Sequence, residues 1–267
     1  IVLSNTFGGN RHRLKLHYLQ DRVAEINVAG VQCARVAADE AERSVLVAGS
    51  MGPTGELIEP LGPLSEADTE VAFAEQAEAL EAGGADLIWI ETLSDLPTVE
   101  AALRGARQAT GLPVVATLSF DTVGRTMMGL TGTEAGKRLA ELGIDGIGAN
   151  CGANLADTEA AVSDIRTAAG NIPVASKANA GIPVWKGSVL SYDGTPEVLA
   201  AHAYRVRDAG ANLIGACCGS TPAHISMMVD VLAGRIPVPD IGPPEGTRVA
   251  ESAIDPDHHR SGRRRRR

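Results

Sequence analysis

Long apolar runs, an excess of basic residues and a large set of cysteines are all absent from this chain of 267 residues. No apolar run approaches the ~18 residues that a membrane-spanning helix needs, and no signal-peptide pattern precedes the first predicted element. The net charge of −9 argues against a nucleic-acid surface over the main body. Four cysteines are too few for a disulfide scaffold. We therefore expect a soluble, cytoplasmic protein with free thiols, and neither a membrane nor nucleic acid as partner.

The composition allows one large core followed by a polar tail. Hydrophobic residues make up 44% of the chain and charged residues 21%, so a sizeable core is expected and global disorder is not. We place that domain at residues 1–236. Residues 237–267 are rich in proline, glycine and charge, and end in five arginines. We predict that this segment is a disordered basic tail.

Short apolar, β-branched runs alternate with longer amphipathic ones along the domain, which predicts a parallel sheet covered by helices. The predicted strands are Ile1–Thr6, Ser44–Ser50, Ala85–Glu91, Pro113–Ser119, Gly146–Asn150, Ile172–Lys177 and Asn212–Ala216. The predicted helices are Arg22–Ala41, Glu66–Ala82, Leu96–Thr110, Thr133–Leu142, Asp157–Ala169, Pro196–Ala209 and Pro222–Leu232. Residues 182–192 are expected to form a loop or small hairpin over the rim.

Seven strand–helix units favour a TIM-type (β/α)8 barrel that lacks its first unit in this chain. The chain begins at Ile1 inside an apolar strand, and nearly every strand ends in a polar or glycine-rich loop. The alternative is a doubly wound sheet, but the Gly-x-Gly-x-x-Gly turn of a dinucleotide-binding fold does not follow any predicted strand.

Three cysteines stand where predicted strands end. Cys151 lies in GIGANCG, and Cys217 and Cys218 are adjacent in NLIGACCG. Thiolates bind zinc, and three of them at one rim would leave a fourth tetrahedral position open, as in catalytic zinc sites. A lone cysteine at a strand end is more often a small buried apolar residue than a metal ligand. Cys33, inside a predicted helix, also fits the description of a small buried apolar residue, and we assign it no role. A vicinal disulfide between Cys217 and Cys218 would be strained.

Other polar residues share the predicted rim. Glu91 is the carboxylate that directly ends an apolar strand, so it requires a cation nearby. That cation is either a lysine or arginine of the chain or the ammonium group of a substrate, and spacing alone does not separate the two. Thr6, Asn150 and Asn179 also fall at strand ends, where they are candidates for substrate binding.

Five motifs together resemble the homocysteine S-methyltransferase family. They are GSMGPTGEL (49–57), ETLSD (91–95), GANCG (148–152), KANAGIP (177–183) and GACCGSTPAHI (215–225). The resemblance covers about residues 1–235. It implies a (β/α)8 barrel with one zinc ion held by Cys151, Cys217 and Cys218, a homocysteine sulfur that joins the metal, and a Glu91 that binds the homocysteine amino group. The family barrel opens with a strand carrying an Asp-Gly motif, and no such element precedes Ile1.

The activity that the resemblance implies is methyl transfer to the homocysteine thiolate to give methionine. The donor stays open among a methyl-corrinoid on a partner protein, betaine and S-methylmethionine. Betaine requires an aromatic cage, whereas aromatic residues are 3% of this chain, and the residue after Glu91 is Thr92. A non-catalytic barrel that holds zinc through the same thiolates is the alternative outside the enzymes.

Overall fold

Strands and helices alternate along the chain, and a computed structural model describes them over residues 1–181 and 183–244. The strands are β1 Val2–Leu3, β2 Val47–Met51, β3 Leu87–Leu93, β4 Val114–Leu118, β5 Gly146–Cys151, β6 Val174–Ala178, β7 Pro183–Lys186, β8 Val189–Tyr192 and β9 Leu213–Ala216. The α-helices are α1 Arg11–Lys15, α2 Val23–Asp39, α3 Glu66–Ala82, α4 Leu96–Ala109, α5 Gly132–Glu141, α6 Leu155–Ala168, α7 Pro196–Asp208 and α8 Pro222–Leu232.

The main sheet has seven strands in the order β1-β2-β3-β4-β5-β6-β9, and every neighbouring pair is parallel. A doubly wound sheet reverses its strand order at a switch point, and this sheet does not. Sequential order is the arrangement of a barrel. Within the described residues the sheet has one strand fewer than the eight of a closed barrel, as the unit count from the sequence predicts.

The two faces of the sheet have different cores, because successive strand residues point to opposite faces. One face packs against the helices through a large cluster that includes Val47, Ile88, Val114 and Ile147. The other face forms a small cluster of strand residues alone, of which Trp89 is the largest. Helices therefore cover only the outer face, and the inner face of the curved sheet encloses its own core.

Polar side chains fix where several helices begin. Ser65, Asp95, Asn154 and Thr195 each accept a hydrogen bond from a backbone N–H in the first turn of the helix that follows, and Thr131 forms a full capping box with Glu134. These caps start each helix just after a strand-end loop. These loops stand at the carboxyl ends of the strands, and those before α4 and α6 are short.

The first strand is shorter than the sequence predicts. We expected Ile1–Thr6, but β1 covers only Val2–Leu3. Its pairing with β2 ends after Ser4, because the chain turns there and the Gly9 N–H donates to the Thr6 carbonyl at 2.8 Å.

The predicted burial of Cys33 is also wrong: it lies in α2 but is exposed. The remaining predicted strands and helices are found within a few residues of their expected ends.

The expected hairpin over the rim is present as β7 and β8, which pair in antiparallel fashion; Ile182 lies outside the described residues. The structure describes residues 237–244 without helix or strand, and residues 245–267 lie outside the description, so the boundary at 236 stays a prediction. Across residues 1–181 and 183–244, no helix has both the length and the apolar character needed to cross a bilayer.

A buried polar cluster joins α6, α7 and β6 on the outer face. His202 is fully buried and contacts Glu159 through Nδ1 at 2.8 Å and Ser176 through Nε2 at 3.3 Å. Arg205 donates to the same carboxylate at 2.9 Å. Burial acts to raise the pKa of Glu159, but the hydrogen bonds from His202 and Arg205 outweigh it, so the pKa lies below its ordinary value.

Because the folded pKa of Glu159 is lowered, its carboxylate stabilises the fold above the unfolded pKa of about 4.3, and this contribution falls as the pH drops through the folded value. We expect Glu159→Gln to lower the free energy of unfolding at pH 7 by about 1–3 kcal/mol, measured by denaturant unfolding. The difference from wild type should shrink in acid. The exposed change Glu42→Gln is the matched control, and a Glu159→Gln deficit independent of pH would contradict the account.

Candidate active site

The three predicted cysteines converge at the carboxyl end of the sheet. The Sγ atoms of Cys151, Cys217 and Cys218 all lie within 4.8 Å of one another, and those of Cys217 and Cys218 are 4.0 Å apart. Cys151 is the last residue of β5, and the other two follow β9 directly. The cluster is half-buried at Cys151 and Cys217 and exposed at Cys218, so solvent reaches it from one side.

Strand β6 brings the two cysteine segments together, because it pairs with β5 on one side and with β9 on the other. Asn179, just after β6, contacts both. Its Nδ2 donates to the Gly152 carbonyl at 3.0 Å, and its Oδ1 accepts from the Cys218 N–H at 3.0 Å. One amide side chain thus fixes the loop after Cys151 relative to the backbone of Cys218.

A turn lets adjacent cysteines face the same point. In a regular strand, neighbouring side chains point to opposite faces, but β9 ends at Ala216 and the chain turns at Gly219. Gly219 has φ +77°, and a Cβ there would overlap the ring of Tyr192 from the β7–β8 hairpin. Glycine is therefore required on both conformational and steric grounds, and Tyr192 packs against the turn that holds the pair.

The thiols shift one another's pKa values. A hydrogen bond from Cys151 stabilises the Cys217 thiolate, against the effect of burial and with help from the Lys177 charge, and lowers the pKa of Cys217 to about 6. The same hydrogen bond, followed by burial, raises the pKa of Cys151. Burial and the Cys217 charge raise the pKa of Cys218. Among the three thiols, deprotonation is therefore easiest at Cys217.

The donor set fits a zinc ion. Zn–S bonds are ~2.3 Å and tetrahedral in proteins, which places two sulfur ligands about 3.8 Å apart. The 4.0 Å between the Cys217 and Cys218 sulfurs matches that separation, and all three fall within 4.8 Å. Three protein thiolates leave one tetrahedral position for another ligand. Cys151, Cys217 and Cys218 could therefore hold zinc with an open site.

A buried charge pair lies on the inner face of the sheet near the cysteines. The Glu91 carboxylate accepts from Lys177 Nζ at 2.5 Å and from Ser50 Oγ at 2.5 Å. The Lys177 ammonium stands 4.8 Å from the ring centroid of Trp89, which is itself buried in the inner core. Of the two cations that the sequence left open for Glu91, the structure contains the lysine.

Asn150 holds the end of β3. Its Oδ1 accepts from the Thr92 N–H at 2.9 Å, and its Nδ2 donates to Thr92 Oγ1 at 2.8 Å. The same Nδ2 lies 4.0 Å from Cys217 Sγ. Thr92 has φ +63°, a conformation that β-branched residues rarely adopt, and the paired hydrogen bonds stabilise it.

Thr6 is not brought to this site. Its hydroxyl donates to the Ser50 carbonyl at 2.8 Å, and a Cβ at Gly30 of α2 would meet its methyl group. Its side chain thus packs between sheet and helix.

The other predicted site residues do gather at one rim: Cys151, Cys217, Cys218, Glu91, Asn150 and Asn179. Three residues that were not predicted from the sequence as site residues join them: Ser50, Lys177 and Tyr192. The two-residue alternation along β6 could have indicated Lys177, because it places Lys177 on the inner face of the sheet together with Ala175.

A sequence profile of a known family matches most of this chain. The sequence profile described as "Homocysteine S-methyltransferase" matches residues 1–232. The chain belongs to the homocysteine S-methyltransferase family. The resemblance drawn from the five sequence motifs is thereby confirmed.

Curated relatives carry the name methionine synthase. The protein of Mycobacterium tuberculosis (strain ATCC 25618 / H37Rv) is 35% identical over 241 residues, which are 87% of this chain and 20% of the relative. The protein of Mycobacterium leprae (strain TN) is 34% identical over 245 residues, with the same coverage. This member of the homocysteine S-methyltransferase family thus spans about a fifth of the length of these relatives.

Solved structures support the barrel class. The homocysteine methyltransferase MmuM from Escherichia coli, in its oxidized form, superposes with a TM-score of 0.69 at 24% identity, covering 88% of this chain and 78% of MmuM. The apo form of MmuM gives a TM-score of 0.63 over 78% of this chain and 73% of the other. At this identity the match concerns the fold, and it confirms the α/β barrel predicted from the sequence.

The lowered pKa of Cys217 can be tested by its reactivity at different pH values on metal-free protein. We expect the rate of Cys217 alkylation by iodoacetamide, followed by peptide mass spectrometry, to rise with a midpoint near pH 6. Cys151→Ala removes the hydrogen bond that stabilises the thiolate, so the midpoint should move to higher pH. The exposed Cys33 in the same samples serves as the internal control. An unchanged midpoint in Cys151→Ala would show that the hydrogen bond from Cys151 does not stabilise the Cys217 thiolate.

Proposed function

We propose that this protein is a zinc-dependent homocysteine S-methyltransferase that forms methionine. The observation that carries the proposal is the convergence of three cysteine Sγ atoms within 4.8 Å at the open end of the sheet, in a chain that belongs to this family. The relatives named methionine synthase support methionine as the product.

Cys151, Cys217 and Cys218 would hold the zinc ion. When bound, zinc lowers the pKa of an incoming thiol and keeps its sulfur as a nucleophilic thiolate at neutral pH. Glu91 offers a carboxylate for the substrate ammonium. In the reaction, a bond forms between the homocysteine sulfur and the methyl carbon while the bond from that carbon to the donor breaks.

Asn179 and Asn150 position this machinery. Asn179 fixes the two cysteine segments relative to each other, and Asn150 fixes the strand end that carries Glu91. Catalytic zinc sites depend on such outer contacts to orient their ligands. We assign both asparagines this role, and direct substrate binding by their amides remains the prediction made from the sequence.

We propose a methyl-corrinoid on another domain or protein as the methyl donor. The relatives named methionine synthase are far longer than this chain, which leaves room in them for a donor-carrying part. At the rim, Thr92 follows Glu91 and pairs with Asn150, so a hydroxyl stands where a betaine cage would need an aromatic ring.

Removing one zinc ligand tests the proposal. We expect wild-type protein to bind one zinc ion per chain, and Cys217→Ala to lose both stoichiometric zinc, measured by atomic absorption, and methionine formation. Cys33→Ala is the matched control and should retain both. Assays with homocysteine and methylcobalamin, betaine or S-methylmethionine in separate reactions identify the donor. Full zinc and full turnover in Cys217→Ala would refute the assignment.

The bridging amide gives a second, graded test. We expect Asn179→Ala to weaken zinc binding about 10–100-fold, measured by chelator competition, because the Cys151 and Cys218 segments lose their shared contact. Asn179→Asp keeps the acceptor for the Cys218 N–H but loses the donor to the Gly152 carbonyl, so its loss should be intermediate. Wild-type affinity in Asn179→Ala would show that the loops hold themselves in place.

A further inference from the structure

The charge pair formed by Glu91 and Lys177 is built like a ligand site. Both side chains are only 9% exposed, and they lie on the inner face beside the cysteine cluster. Removing two charges from water is costly, and well-packed apolar residues stabilise a core at least as well as such a pair does. Stability of the fold is therefore a poor reason for this pair, which suggests that it serves binding.

The Lys177 ammonium has unused hydrogen-bonding capacity. An ammonium group can donate three hydrogen bonds. Among the described residues, Glu91 is its one hydrogen-bond acceptor, and its other close contact is the face of Trp89. Two donors of a nearly buried cation are thus left for a ligand that enters the rim.

The location of Lys177 supports the same conclusion. Its backbone pairs with Asn150 on β5 and with Gly215 on β9, so it stands between the two cysteine-bearing strands. A molecule whose sulfur reaches the cysteine cluster therefore passes within range of the lysine.

Homocysteine presents three polar groups: a thiol, an ammonium and a carboxylate. We propose that Lys177 binds the carboxylate of the amino-acid substrate. The Glu91–Lys177 ion pair then separates, and Glu91 binds the substrate ammonium while Lys177 binds the substrate carboxylate. This inference rests on the proposed function. The exchange keeps the site neutral before and after binding, so no buried charge loses its partner in either state. Lys177 thereby makes the site selective for an α-amino acid over a simple aminothiol.

Calorimetry on the zinc-loaded full chain tests this with homocysteine and its decarboxylated analogue, aminopropanethiol. We expect wild type to prefer homocysteine by about 10–100-fold, the value of a hydrogen-bonded charge pair. Lys177→Met should weaken homocysteine binding by about the same factor and leave aminopropanethiol binding unchanged or tighter. Lys177→Arg should restore most of the preference, and the exposed change Lys137→Met is the control.

The possible outcomes distinguish a failure of the Lys177 role from a failure of the proposed function. Equal wild-type affinity for the two ligands would overturn the role of Lys177 without the need for any variant. Tighter homocysteine binding by Lys177→Met would show that the lysine competes with the substrate for Glu91, and equal weakening of both ligands would show that it only orients Glu91. No homocysteine binding by zinc-loaded wild type would refute the proposed function itself.

Discussion

The pairing of β6 with β5 on one side and β9 on the other is the constraint on which the site depends. Parallel neighbours in sequential order place the carboxyl ends of these strands side by side, and the cysteines leave from two of those ends. The amide of Asn179 then joins the segments through two hydrogen bonds. Proximity of the sulfurs thus follows from backbone pairing, and the turn at Gly219 together with Asn179 sets how the two segments face each other.

Alternation along the strands decides which residues take part. Ser50, Glu91, Asn150 and Lys177 lie on the inner face, whereas Ser176 points outward to His202. Alternate residues of one strand therefore face either the candidate site on the inner side or the helices on the outer side. In β6, Lys177 and Ser176 are neighbours in sequence but belong to different environments, one polar and open to ligands and the other closed and stabilising.

Much of the fold could be predicted from the sequence, because apolar runs and capped helices are local patterns. The three cysteines could be predicted too, since strand ends of a parallel barrel meet at one face. The Glu91–Lys177 pair, the Asn150–Thr92 contact and the bridging by Asn179 could not, because each joins residues far apart in the chain and depends on side-chain direction. Thr6 lies away from the cysteine cluster for a related reason: β1 ends early, and the Thr6 side chain packs towards α2.

Trp89 fills the inner core beneath Lys177 and is almost completely buried. Its indole Nε1 donates to Thr117 Oγ1 at 3.2 Å, so the ring is held in place beneath the Lys177 ammonium. A bulky ring at this level limits how far the ammonium can withdraw from the rim towards the interior.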